Sequence, residues 1–374
     1  MKIGLSTLSG VSYGGITFFN NLIPALSRVD KSNEYVIFTT KNGLRLFGIN
    51  NEKFKYVIVN GIVKNAVLRF LWEQIVLPFK LSKLRIDVYY TAKNINVFFS
   101  PVKTIVAIRN MEPFFYKEYK NEISLNIFSF LRNLLTRISM LKANKILAVS
   151  EFSKEYLIKN YPHIKHKLHV VYNGNPVPGN PSYNKMYNSK GAYILTASKF
   201  VTYANQLSLI KGYNYLNTQM QNIPPLWLAG GIHDRSYFEK IKDYIADNKL
   251  TEKVKILGLI EHSKLIEYYS NAFAFIFPST LEACPHTLIE VMSCQIPMAV
   301  SNFDPMPEIC GKAAIYFDPY NEKEIASSIQ KLLTNTKLRK NLKKNSQKQS
   351  ELFDWDISAS TLVNIIVDSS INQL

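Results

Sequence analysis

The sequence predicts two consecutive α/β domains, each built on a parallel sheet with helices on both faces. Three observations carry this. Short apolar runs alternate with helix-periodic stretches along the whole chain. The alternation breaks once, in a segment rich in Pro, Asn and Ser, and then restarts. The length of 374 residues, 47% of them apolar, suffices for two cores of ordinary size.

Taken in order, residues 2–7 read as a first buried strand. A glycine-bearing loop follows, Ser9-Gly10-Val11-Ser12-Tyr13-Gly14-Gly15, and then a helix from Ile16 to about Arg28. Further short strands are expected at 35–39, 56–59, 88–90, 104–108 and 145–149, with helices over 64–84 and 121–142. Residues 176–189 read as a linker between a domain of residues 1–175 and one of residues 190–354. In the second domain, strands are expected at 193–197, 226–229, 254–257, 272–277, 298–300 and 314–317. A cleft between two such domains is the expected ligand site.

The formal charge is +17, and it is unevenly spread. Residues 1–180 hold 25 Lys and Arg against 10 Asp and Glu, whereas the remainder holds 20 against 18. A basic first half predicts an acidic partner for that domain, or reflects a general Lys- and Asn-rich bias. Anionic membrane surface, a lipid diphosphate or nucleic acid would each serve; no helix-turn-helix, finger or RNP pattern supports the last. Cys284, Cys294 and Cys310 form no CxxC pair and no disulfide framework, which fits a reducing cytoplasm. The start of the chain is too short and too polar for a secretory signal. No apolar run approaches the ~20 residues of a membrane span.

The most informative stretch runs from Phe277 to Pro297. Glu282 falls in a turn after an apolar run, and Glu290 falls inside a helix expected to begin near Pro285. First-turn N–H groups would lie between the two acids. A ligand with hydroxyls at both ends and phosphate in the middle suits that layout, and a nucleotide sugar is such a ligand.

With both halves in view, the chain resembles family 4 of the retaining glycosyltransferases, which share the GT-B fold. The resemblance rests on ordered landmarks over nearly the whole chain. In the first half these are Ser12-Tyr13-Gly14-Gly15, Ala148-Val149-Ser150-Glu151-Phe152-Ser153 and Val171-Tyr172-Asn173-Gly174. In the second they are Leu228-Ala229-Gly230, Val254-Lys255-Ile256-Leu257-Gly258, Phe277-Pro278-Ser279 with the Glu282/Glu290 pair, and Ile315-Tyr316-Phe317-Asp318-Pro319. It implies two Rossmann-like domains facing across a cleft, with the acceptor on the first and the nucleotide sugar on the second. It also implies a last helix, about 355–374, that crosses back to the first domain.

The resemblance further implies that Glu290 holds the ribose and that Glu282 faces the donor sugar near its reacting carbon. Thr287 and Leu288 would border the diphosphate, and Gly230 would turn a donor-side loop. His286 would contact the sugar or lie at the domain surface. Gly14 and Gly15 would admit a phosphate or acceptor, or make only a tight turn. Two departures stand out. Relatives place two cations five residues apart to clamp the diphosphate; here Lys199 is followed by Ala204, with Asn205 as a candidate donor beside it. Arg109-Asn110 replaces a His-Asp pair, so Arg109 would bind the leaving phosphate, an acidic acceptor or a structural ion-pair partner.

Two further patterns need a reading. Asp354-Trp355-Asp356 resembles a metal-binding triplet but reads as a helix entry; no metal or cofactor is expected beyond the donor itself. Ile127, Phe128, Leu131, Leu134, Leu135, Ile138 and Leu141 form a helical stripe, expected as core, with an interfacial membrane helix as the alternative. The function expected is transfer of a sugar from a nucleotide sugar to a glycan or lipid-linked acceptor in capsule, O-antigen or exopolysaccharide synthesis. The site would be cytoplasmic, at the inner face of the membrane. The alternative is an inactive, glycosyltransferase-like subunit of a glycan-assembly complex.

Overall fold

The computed structural model describes residues 1–10, 13–61, 65–115, 127–175 and 193–371. The expected linker at 176–189 lies outside the described residues, as do Ser12 and residues 121–126 of the expected second long helix. The described residues divide into two compact units: residues 1–115, 127–175 and 353–371, and residues 193–352.

Unit 1 follows the order β1 (Lys2–Ser6), α1 (Tyr13–Val29), β2 (Glu34–Thr39), α2 (Lys41–Phe47), β3 (Phe54–Ile58), α3 (Ala66–Lys83), β4 (Val88–Thr91), β5 (Lys103–Ile108), α4 (Ile127–Lys142), β6 (Lys145–Ala148), α5 (Glu151–Asn160) and β7 (Leu168–Val170). Its seven strands are parallel, in the order β3-β2-β1-β4-β5-β6-β7. Strand order reverses between β1 and β4. Buried on both faces, the strands read as continuous apolar runs rather than alternating ones.

Three local differences from expectation have identifiable causes. The helix after β1 starts at Tyr13, so Gly14 and Gly15 lie in its first turn and not in a loop. The short α2 was not expected; Thr40 caps it, its side chain accepting from Gly43 N–H. β7 is a three-residue edge strand, too brief to give an apolar run.

A fourth difference is larger. On α4 the inward residues are Asn133, Thr136, Ser139 and Met140, whereas Leu131, Leu134 and Leu141 are exposed. Of the expected core stripe, Leu131, Leu134 and Leu141 therefore face solvent, and Leu135 and Ile138 are half-buried. Polar partners hold the other side in: Asn133 Nδ2 donates to the Pro113 carbonyl, and Ser139 Oγ accepts from Asn96 N–H at 2.9 Å.

Unit 2 contains β8 (Ile194–Ala197), α6 (Gln206–Gln219), β9 (Leu226–Ala229), α7 (Arg235–Asp247), β10 (Val254–Gly258), α8 (His262–Asn271), β11 (Ala274–Phe277), α9 (His286–Ser293), β12 (Met298–Ser301), α10 (Met306–Cys310), β13 (Ala314–Phe317), α11 (Glu322–Thr334) and α12 (Thr336–Ser350). Its parallel sheet runs β10-β9-β8-β11-β12-β13, reversing between β8 and β11. The three cysteines are buried free thiols.

The last helix, α13 (Trp355–Ile371), belongs to unit 1 and packs on α1; Trp355, Leu362 and Ile366 share a core with Phe18, Phe19 and Leu22. Gly174 permits this approach: a Cβ there would lie 2.5 Å from the Trp355 backbone nitrogen. The Asp354-Trp355-Asp356 triplet is also explained. Asp354 Oδ1 accepts from the Asp356 and Ile357 N–H groups at 2.6 and 3.0 Å, while Asp356 pairs with Arg28 at 2.6 Å. The first carboxylate caps the helix and the second ties it to α1.

Candidate functional site

In an open parallel sheet, ligands bind beyond the carboxyl ends of the strands where strand order reverses. In unit 2 that point lies between β8 and β11. Lys199 follows β8, and Glu282 follows β11 and precedes α9. The fold thus brings to one sheet edge two residues 83 positions apart.

Hydrogen bonds lock the two loops together. The Tyr203 carbonyl accepts from Thr280 N–H at 2.8 Å, from Thr280 Oγ1 at 3.1 Å and from Ser279 Oγ at 3.3 Å. Ser279 Oγ also lies 3.0 Å from Glu282 Oε1, which it reaches as a donor. Burial holds the Glu282 carboxyl up at about 7 against the opposing pull of the Ser279 hydroxyl and the positive charge of Lys199. Lys199 is exposed, its Nζ 5.1 Å from the centre of the Tyr203 ring. Glu282 is therefore a partly buried acid poised near neutrality beside a mobile-stemmed cation.

Glu290 is 4% exposed, on the buried side of α9. Its Oε1 lies 2.8 Å from Nε2 of His262, the first residue of α8. The buried Tyr269 hydroxyl faces the same region; burial and the Glu290 charge raise its pKa well above the usual value. Thr287 lies within its reach. Sequence reasoning missed His262, Ser279, Tyr203 and Tyr269. Ser279 stands within a quoted landmark, but nothing in the local pattern links position 262 with position 290.

The hydrogen bond to Glu290 raises the His262 pKa, against the opposing effect of burial. A histidine whose folded pKa lies above its unfolded value contributes stability fully below the unfolded value, near 6.5. That contribution is lost as pH rises through the folded pKa. His262→Gln should therefore lower Tm more at pH 6 than at pH 9. Equal losses at both pH values would show that the pair does not titrate as described.

Other expected residues sit differently. Asn205 has a left-handed backbone, φ 56°, and its amide is engaged inside the unit: Nδ2 donates to the Pro319 carbonyl at 2.8 Å and Oδ1 accepts from Ser208 Oγ at 2.8 Å. These two bonds shape the entry to α6. Ala204 is buried at 2% exposure, so that position adds no charge. Pro285 caps α9 rather than opening it, and its carbonyl takes the Leu288 N–H at 3.1 Å. One expected donor, the Leu288 N–H, is thereby engaged within that turn; the Leu288 side chain is buried, while His286 and Thr287 are partly exposed.

Gly230 bonds through its N–H to the Gly258 carbonyl at 2.8 Å. A Cβ on it would stand 1.9 Å from the Ser198 carbonyl oxygen, so only glycine lets the loop after β9 press against the Lys199 loop.

In unit 1, Gly14 and Gly15 open α1, and a Cβ on Gly14 would meet no atom within 4 Å. Arg109 follows β5. Its guanidinium carbon lies 3.3 Å above the Phe18 ring centre, and Nη2 donates to Asn173 Oδ1 at 3.3 Å. These contacts place Arg109 in a cavity of unit 1 that Tyr90, Tyr172 and Trp355 also line.

Comparisons with known proteins agree with this architecture. The model described as "Glycosyltransferase Family 4" matches residues 14–176, and the model "Glycosyl transferases group 1" matches residues 184–349. The O-antigen chain mannosyltransferase B of Escherichia coli is 25% identical over 237 residues, 60% of this chain and 61% of that protein. The capsular polysaccharide biosynthesis glycosyltransferase CapH of Staphylococcus aureus is 26% identical over 312 residues, 79% of this chain and 81% of that protein. The first of these matches spans about three fifths of its relative's length. Anabaena Alr3699/HepE, solved in complex with UDP-glucose, superposes with a TM-score of 0.74 at 15% identity, covering 98% of this chain and all of that one. A glycosyltransferase from Rickettsia africae ESF-5 gives 0.72 at 19% identity, covering 100% and 99%.

Proposed function

We propose that the chain, whose two units have the GT-B fold, is a glycosyltransferase and a retaining enzyme of cell-surface polysaccharide synthesis; the matching family models and relatives support this reading. It moves a sugar from a nucleotide diphosphate sugar to a hydroxyl of a glycan or lipid-linked acceptor. The observation that carries the reading is the meeting of Lys199 and Glu282 at the reversal point of the second sheet, with Glu290 behind them on α9.

In this reading Glu290 accepts hydrogen bonds from the ribose hydroxyls, with His262 holding one carboxylate oxygen. Lys199 and the first turn of α9 face the diphosphate. Glu282 lies against the sugar and stabilises positive charge on the ring as the bond to the diphosphate lengthens. The breaking bond's electron pair leaves with the diphosphate. The acceptor oxygen then bonds the anomeric carbon from the same face, and its proton passes to the departing phosphate.

Sequence similarity to O-antigen and capsule glycosyltransferases supports the pathway class, and fold similarity to a protein solved with UDP-glucose supports the donor class. Ala204 favours a second reading, a binding subunit with little turnover, because the expected second cation is replaced by a buried methyl group.

A panel of UDP-, GDP- and dTDP-sugars separates the two readings. The proposal predicts nucleotide release with one donor class and a product whose anomeric configuration matches the donor's. Inversion would contradict retention. Donor binding without release, with any glycan acceptor, would favour the binding subunit.

A further inference from the structure

We propose that unit 1 docks on an anionic lipid bilayer through the solvent face of α3 and α4 and the loop before β5. The inference deepens the reading of a membrane-side polysaccharide enzyme but stands on different residues from the donor site. α3 exposes an apolar line at helical spacing, including Leu71, Ile75 at 58% and Phe79 at 74%. α4 exposes Leu134, and Leu141 at 56%, because its polar side is turned inward. Phe99, at 79%, lies between the two helices. Its neighbours fix it there: Phe98 N–H donates to Gln74 of α3 at 3.0 Å, Asn96 N–H donates to Ser139 of α4 at 2.9 Å, and Lys142 Nζ is 5.8 Å from the Phe99 ring centre. The three apolar groups therefore belong to one face of the unit.

The charges choose the occupant. α3 carries Arg69, Lys80 and Lys83 with one acid, Glu73, which is buried and paired with Lys93. α4 carries Arg132, Arg137 and Lys142 and no acid. A second copy docking by two-fold symmetry would set this cationic face against itself. An anionic bilayer instead takes protruding apolar side chains at its interface and pairs lysine and arginine with its headgroups. No helix among the described residues is long and apolar enough to cross a membrane, so the contact would be peripheral.

The test is co-sedimentation of the full chain with vesicles of equal parts phosphatidylglycerol and phosphatidylethanolamine, against vesicles of phosphatidylcholine, at low ionic strength. The chain should partition into the anionic vesicles. The combined change Ile75→Ser, Phe79→Ser and Phe99→Ser should lower that partitioning about tenfold or more. Arg137→Gln and Lys142→Gln should each lower it about fivefold. All three apolar positions are well exposed, so Tm should hold, and nucleotide binding should be unchanged. Absence of vesicle binding by the unaltered chain would overturn the proposal, as would equal binding by the triple variant. So would a concentration-dependent dimer that the triple variant abolishes. Sugar transfer with no vesicle binding would leave the donor site standing and remove only the docking face.

Discussion

Lys199→Ala is expected to lower turnover about 10²–10³-fold, the usual cost of removing one stabiliser of developing negative charge. The large effect follows from the neighbourhood. Ala204 supplies no second charge in this loop, and Asn205 is engaged with Pro319 and Ser208. A second readout separates a chemical role from a structural one. Burial raises the Glu282 carboxyl to about 7 even against the downward pull of the Lys199 charge. Removing that charge should therefore move the acid limb of the pH–rate profile to higher pH. Lys199 is exposed, so the fold should be indifferent to the change. A rate near that of the unaltered enzyme, with an unmoved acid limb, would take Lys199 out of the mechanism.

The second large effect is expected at Glu290. Glu290→Gln keeps the shape and one acceptor but removes the charge from a buried site. Charge-assisted hydrogen bonds contribute roughly 1.5–3 kcal/mol each, so nucleotide affinity should fall about 10–100-fold. Free nucleoside diphosphate should lose as much as the nucleotide sugar, because the lost contact is to the ribose. Loss confined to the nucleotide sugar would move Glu290 from the ribose to the transferred sugar. Unchanged affinity for both would remove it from the site. His262 adds a control: its replacement disturbs the orientation of Glu290 without removing the carboxylate, so its effect on affinity should be smaller.

What was legible in the sequence was what repeats at short range. Apolar runs located β1 to β6 and β8 to β13 within a residue or two, because a strand buried on both faces must be apolar throughout. The Glu282/Glu290 spacing was visible because a strand, a turn and a helix start lie within some twenty residues. The illegible parts depend on distant partners. His262 becomes a site residue only when α8 is laid beside α9. The role of Asn205 depends on Pro319, more than a hundred residues away.

The α4 stripe shows a different kind of failure. Periodicity found a helix with an apolar face, but it could not show which face turns inward. Asn133 and Ser139 settle that by bonding to the loops behind them, and Leu131, Leu134 and Leu141 are left outside. Gly174 and Gly230 were visible as motif residues, but their reasons were not. Each is required by a close approach: one by the Trp355 backbone, the other by the Ser198 carbonyl.

The central claim is that the reversal point of the second sheet binds the nucleotide sugar. Hydrogen–deuterium exchange of the full chain, with and without saturating nucleoside diphosphate, tests it most directly. The account predicts slowed exchange in the segments 198–204, 258–262 and 279–290. Saturation that leaves those segments unchanged and slows exchange only in the first unit would contradict it.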